Sequence, residues 1–184
     1  MWVGLVNPRL SDSELIQLYD KDYYSRDDSI FCGYESYLGE RDNFRRSFRM
    51  RLGGIEQFSR KGRILDIGCA YGFFLEVARE EGWEGYGVEI SECSARYAKE
   101  ELGLKVFLGE LKEAQYPSEY FEVVTLWDVI EHLPDPREEL KEINRILKKG
   151  GIVVLSTPAI DSLFALLSGR RWIGFQCPWE HIYY

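Results

Sequence analysis

Residues 64–72 read I-L-D-I-G-C-A-Y-G, and Glu89 closes the next apolar run. Ile64, Leu65 and Ile67 form the continuous apolar stretch expected of a strand buried on both faces of a parallel sheet. The turn after it needs small residues because its backbone has to pass close to a ligand, and Gly68 and Gly72 provide them. From Phe73 to Arg79 the spacing of Phe74, Leu75 and Ala78 predicts a helix with one buried face, whose free N–H groups favour an anionic group. A second apolar run, Tyr86 to Ile90, delivers Glu89 about twenty residues beyond the glycines, where a carboxylate can accept both hydroxyls of a ribose. Strand, tight turn, helix, strand and acid together predict a nucleotide-like cofactor.

A dinucleotide fingerprint counted as G-x-G-x-x-G from Gly68 lands on Ala70 and then Phe73, and phenylalanine does not permit the close helix packing that the third position requires. The alternative register, D-x-G-x-A-x-G from Asp66 through Gly68 and Ala70 to Gly72, resembles motif I of the class I S-adenosylmethionine-dependent methyltransferases, with alanine in place of the usual middle glycine. The resemblance continues in order through G-V-E-I-S at 87–91, G-E-L at 109–111, F-E-V-V-T-L-W-D-V-I-E-H-L at 121–133 and L-K-K-G-G-I-V-V-L-S-T-P at 147–158. It covers residues 60–160 and is similar to the small-molecule branch that includes the ubiquinone and biotin pathway enzymes.

That resemblance implies S-adenosylmethionine as cofactor and a small-molecule acceptor, with the methylated atom (O, N or C) left open. It also implies roles for single residues. The turn Gly68, Cys69, Ala70 approaches the methionine part, Ile90 and Leu111 flank the adenine, and Glu110 receives its amino group. The backbone near Trp127 and Asp128 closes the other side. Asp66 and Glu89 end buried strands, where a carboxylate without a partner is costly, so both are expected to meet ligand. Ile90 and Leu111 equally suit an ordinary core, and Cys69 needs only to be small.

Apolar runs at Arg63–Ile67, Gly85–Ile90, Leu104–Leu108, Glu122–Leu126 and Gly151–Ser156 alternate with helical spacing at Phe73–Glu81, Glu92–Leu102 and Arg137–Leu147. The alternation predicts an α/β, Rossmann-like, doubly wound and mainly parallel sheet with right-handed crossovers. Pro134 and Pro136 precede the last helix, and Gly150 and Gly151 are expected to end it. The expected organisation is an N-terminal helical extension over residues 1–60 and the Rossmann-like unit over 61–184. In the extension, Ser13–Tyr19 and Asp42–Phe58 have helical spacing. By resemblance the segment containing Tyr23 and Tyr24 forms a lid over the cofactor, although an aromatic pair beside a helix also suits plain packing. Full-length relatives carry two strands after the fifth, so the sheet is expected to be C-terminally short, leaving the fifth strand as an edge through which copies self-associate.

At 184 residues with 45% hydrophobic and 29% charged, the chain suits one well-buried core. A formal charge of −8 argues against nucleic acid as a partner, and no membrane-length apolar stretch is present. Arg41, Arg45, Arg46, Arg49 and Arg51 form a local basic run, read either as a solvated helix face or as a contact to an anionic substrate or lid. Cys32, Cys69, Cys93 and Cys177 show no C-x-x-C pairing, which fits a reducing cytoplasm.

Both histidines follow a glutamate, as Glu131-His132 and Glu180-His181, and both fall near carboxyl ends of strands, where ligands of such sheets bind. His132, and less directly His181, are candidates to take a proton from a hydroxyl or amine acceptor. Asp128, Glu131 and His132 also offer oxygen and nitrogen donors at i, i+3 and i+4. With no thiolate pair and no second ligand group, no metal is expected. Tyr23, Tyr24, Trp127, Trp172, Phe175 and Trp179 lie in the segments that build the acceptor pocket in this family. The rival reading is a non-catalytic cofactor-binding or scaffold protein. A nicotinamide oxidoreductase is opposed by Phe73.

Overall fold

A computed structural model describes residues 39–159 and 161–168. Its centre is a five-stranded sheet of β1 (Arg63–Ile67), β2 (Glu84–Glu89), β3 (Lys105–Leu108), β4 (Phe121–Trp127) and β5 (Leu147–Ser156) in the order β3-β2-β1-β4-β5. Every pairing is parallel. The order reverses between β1 and β4, so a crevice opens beyond their carboxyl ends, the place where sheets of this kind bind ligands. Helices α1 (Arg41–Ile55), α2 (Phe73–Glu80) and α3 (Glu92–Glu100) supply one buried layer, and α4 (Pro136–Ile146) supplies the other. A short α5 (Leu163–Ser168) follows β5.

The two layers follow from strand alternation. Ile64 and Val123 turn to the side of α1, α2 and α3, whereas Leu65, Ile67, Val124 and Leu126 turn to the side of Ile143 and Ile146 on α4. α1 inserts Phe48, Leu52 and Ile55 into the first layer, each burial contributing about 1.5–3 kcal/mol. α4 starts one residue earlier than expected, with Pro136 in its first turn and the Asp135 carboxylate accepting from the N–H groups of Arg137 and Glu138 at 3.1 Å each.

Two expectations change. Gly150 and Gly151 do not end α4, which stops at Ile146; they lie inside β5. Phe121 pairs with Leu147 and Val123 with Ile152, so Lys148 to Gly151 form an excursion in the strand, and Gly150 takes the left-handed φ of +78° that this bend requires. Three of the five arginines in the run are taken up by ion pairs within the fold. Arg41, Arg45 and Arg49 meet α2: Arg41 and Arg45 both pair with Glu76, Arg45 and Arg49 with Glu80 at 2.8 Å, and Arg49 with Glu81 at 3.3 Å.

Glu76 is the centre of this seam because its side chain is only 9% exposed and is shared by two guanidinium groups. Removing it leaves partly buried positive charge, so Glu76→Ala is expected to lower stability by about 2–3 kcal/mol. Glu80→Ala, at a 41% exposed site, should lose about 1 kcal/mol or less. Thermal melts of the two variants check the ranking.

β5, at the edge of the sheet among the described residues, leaves Val153 and Leu155 exposed, at 37% and 41%. No described helix is long and apolar enough to cross a membrane. Ser13–Tyr19, Tyr23, Tyr24, Trp172, Phe175, Trp179 and His181 lie outside the described residues.

Candidate functional site

The turn after β1 shows why the motif alternates small residues. Gly68, Ala70 and Gly72 all have left-handed backbones, with φ of 66°, 47° and 81°. Glycine accepts this conformation without penalty, while alanine costs about 1 kcal/mol or somewhat more. Gly68 also has no room for a side chain, since a Cβ there would lie 2.6 Å from Cγ2 of Val129. The N–H groups of Gly68 and Cys69 both donate to the carbonyl of Val88, at 2.8 and 3.1 Å, which ties the turn to β2. The turn then enters α2 through the bond from the Glu76 N–H to the Gly72 carbonyl.

Glu89 closes the loop from the other side. Its carboxylate accepts the Ala70 N–H on Oε2 and the Ser91 N–H on Oε1, both at 2.8 Å. Glu89 and the glycine turn are thus in direct contact. Burial pushes Glu89 above the usual carboxylate range, and the backbone N–H groups of Ser91 and Ala70 pull against that shift. A carboxylate offers about four acceptor positions, so Glu89 keeps capacity for two ligand hydroxyls.

Asp66 is not without a protein partner: the Thr125 hydroxyl donates to its Oδ1 at 2.6 Å. Burial pushes Asp66 up to about 8, with the Thr125 bond and the positive charge of Arg51 opposing, and the nearby Glu89 charge adding to the rise. Cys69 is buried, and that burial pushes its thiol well above the ordinary value, so it acts here as a small apolar residue and not as a nucleophile.

The remaining sequence-selected positions spread around this centre. Ile90 is 48% exposed beside Glu89 and presents an apolar wall, whereas Leu111 is 2% exposed and packs into the α4-side core. Glu110 is exposed, and its N–H donates to Glu113 Oε2 at 2.8 Å. Trp127 ends β4 among Phe48 and Phe74, and its buried indole Nε1 has no hydrogen-bond partner among the described residues. Asp128 has a φ of 55° and accepts from the Ser156 hydroxyl at 3.0 Å. His132 lies, half-buried, in the short 3-10 turn Ile130–His132 that follows β4. Among the described residues no group of three His, Cys, Asp or Glu is arranged to hold a metal ion.

Two residues that the sequence places only within a group stand apart in the structure. Arg51, unlike Arg41, Arg45 and Arg49, makes no ion pair among the described residues; its guanidinium lies 4.7 Å from the Trp127 ring centroid and bears on Asp66. Glu131 is 1% exposed, and among the described residues neither Oε has a hydrogen-bond partner.

A parallel sheet with its switch point between β1 and β4, a left-handed small-residue turn there, and a buried carboxylate fastened to that turn define a nucleoside-binding α/β domain. The chain belongs to a methyltransferase family: the family model described as "Methyltransferase domain" matches residues 37–184. A ubiquinone biosynthesis O-methyltransferase from Pseudomonas aeruginosa is 34% identical over 101 residues, 52% of this chain and 44% of that protein. One from Leptothrix cholodnii is 30% identical over 119 residues, 59% and 50% of the two chains. The chain spans about half the length of the curated relatives it matches. Among solved structures, a SAM-dependent methyltransferase from Archaeoglobus fulgidus aligns with a TM-score of 0.58 and 31% identity, covering 72% of this chain and 62% of that one. Another, from Thermotoga maritima, aligns at 0.59 and 26%, covering 74% and 62%.

Proposed function

We propose that this chain binds S-adenosylmethionine and transfers its methyl group to a small-molecule acceptor. The observation that carries the reading is the turn from Gly68 to Gly72, with its three left-handed residues, held by Glu89. The residues present fit the cofactor. Gly68, Cys69 and Ala70 keep side-chain bulk away from the methionine part, Glu89 has acceptor capacity for the ribose, and exposed Ile90 offers a surface for the adenine beside Glu110. Arg51 is the cation placed to meet a carboxylate, and Trp127 and Asp128 bound the opposite side. When bound, S-adenosylmethionine supplies an electrophilic methyl carbon on a sulfonium. The protein's task is then to hold the acceptor in line and to exclude water.

In this reading α1 belongs to the core, and the lid role falls to the segment before it, which contains Tyr24, with His181 on the acceptor side; both lie outside the described residues. The relatives named as O-methyltransferases favour a hydroxyl acceptor. The acidic balance and the lack of thiol pairing fit a cytoplasmic protein without a nucleic-acid partner. Exposed Val153 and Leu155 on edge strand β5 support self-association there. Light scattering at tens of micromolar should then show more than monomer, and a clean monomer removes that part.

The direct test is titration of S-adenosylhomocysteine into the purified protein by calorimetry. Micromolar binding is expected; no heat and no shift in melting temperature would return the chain to the scaffold reading.

A further inference from the structure

We propose that Glu131, and not His132, holds the acceptor's hydroxyl and takes its proton. The inference rests on the methyltransferase reading above and assigns the acceptor side of that same site.

The placement comes first. Val129, two residues before Glu131, lies against Gly68 of the cofactor turn so closely that a Cβ on the glycine would sit 2.6 Å from its Cγ2. The 3-10 turn Ile130–His132 starts at the next residue, so Glu131 stands beside the crevice where β1 and β4 diverge. Its polar surroundings come from the carboxyl ends of β4 and β5, namely Asp128 and Thr157. Asp128 is already committed to Ser156.

The chemistry follows from what Glu131 lacks. It is 1% exposed, yet among the described residues neither carboxylate oxygen has a partner in hydrogen-bond geometry, and Thr157 bears on it only weakly. A buried carboxylate in that condition weakens the fold, since it gives up water and gains nothing in return. A bound hydroxyl supplies the missing donor. His132, by contrast, does have a polar or ring interaction within the fold.

As the acceptor oxygen gains the methyl carbon, the carbon–sulfur bond breaks with its electron pair left on sulfur. The hydroxyl proton passes to a Glu131 Oε and is later released to solvent. Burial, with Asp128 adding its charge, pushes Glu131 up to about 7, against the pull of its own backbone N–H and of Thr157. A base poised near neutral pH suits this transfer.

The test compares wild type, Glu131→Gln and His132→Ala at pH 8 by thermal melting, by calorimetry with S-adenosylhomocysteine, and by methyl transfer to catechol as the probe acceptor. Glu131→Gln is expected to melt at or above wild type, because an unpaired charge is gone, and to bind S-adenosylhomocysteine unchanged. Its turnover of catechol should fall by about 100-fold or more, while His132→Ala keeps most of its turnover. The proposal is overturned if Glu131→Gln melts several degrees lower, which marks a structural role, or if it turns over catechol like wild type. If wild type does not use catechol, the melting comparison still tests the premise, and a lower melting temperature for Glu131→Gln overturns the proposal. Loss of S-adenosylhomocysteine binding in wild type itself would strike the cofactor reading, and it is read separately from either result.

Discussion

Glu89→Ala is expected to weaken S-adenosylhomocysteine binding about 100-fold or more. Two hydroxyl donors on a charged acceptor contribute about 1.5–3 kcal/mol each, and every 1.4 kcal/mol is about tenfold in affinity. The variant loses more than the ribose contact. In the native turn the Ala70 and Ser91 N–H groups both end on this carboxylate, so its removal also frees the left-handed segment that it fastens. Glu89→Gln should do nearly as badly, because its amide presents donor hydrogens to one of two backbone donors. Calorimetry reads the affinity, and a melting curve confirms that the variant is folded. An affinity close to wild type would remove Glu89 from the binding site and, with it, the main support for the cofactor assignment.

The region around Glu89 is legible in the sequence because its requirements are local. β1 has the bounds its apolar run predicts, and β2 needs only a one-residue shift, to Glu84–Glu89. The alternating small residues of the turn mark the three left-handed positions themselves. Proximity of Glu89 to that turn follows once β1 and β2 are adjacent parallel strands.

What the sequence hides depends on contacts between distant segments. Arg41, Arg45 and Arg49 stand at i, i+4 and i+8, and Glu76 and Glu80 at i and i+4. The two stripes match once α1 and α2 are known to pack, and the arginine run by itself carries no such information. Arg51 belongs to the same run and differs only because the helix turns it toward Trp127. Residue type alone favours His132 over its neighbour Glu131 as a base near neutral pH, while the burial that brings a glutamate into the same range is invisible in sequence. Gly150 and Gly151 resemble a helix stop because a bend inside a strand and a helix end both demand glycine.

Asp66→Asn is expected to stabilise the ligand-free protein at high pH and to leave it unchanged at low pH. Burial raises the folded-state value of Asp66 from 3.8 to about 8. As pH climbs, the unfolded chain gives up this proton near pH 4 while the folded chain keeps it until about pH 8. The folded state therefore binds more protons across that window, and its stability falls as pH rises. An asparagine still accepts the Thr125 hydroxyl but carries no charge to desolvate. At about 1.4 kcal/mol per pKa unit the ceiling exceeds about 5 kcal/mol. Relaxation and water around the turn reduce this to roughly 2–3 kcal/mol, which for a chain of this size raises the melting temperature by roughly 5–10 °C at pH 9. Melting curves of both proteins from pH 4 to pH 9 should diverge steadily. A gap that stays constant with pH would show that Asp66 does not titrate in this range. A widening gap would mean that the chain carries an ionisable group next to its cofactor turn at a cost in stability, a burden natural sequences bear where a site needs the charge.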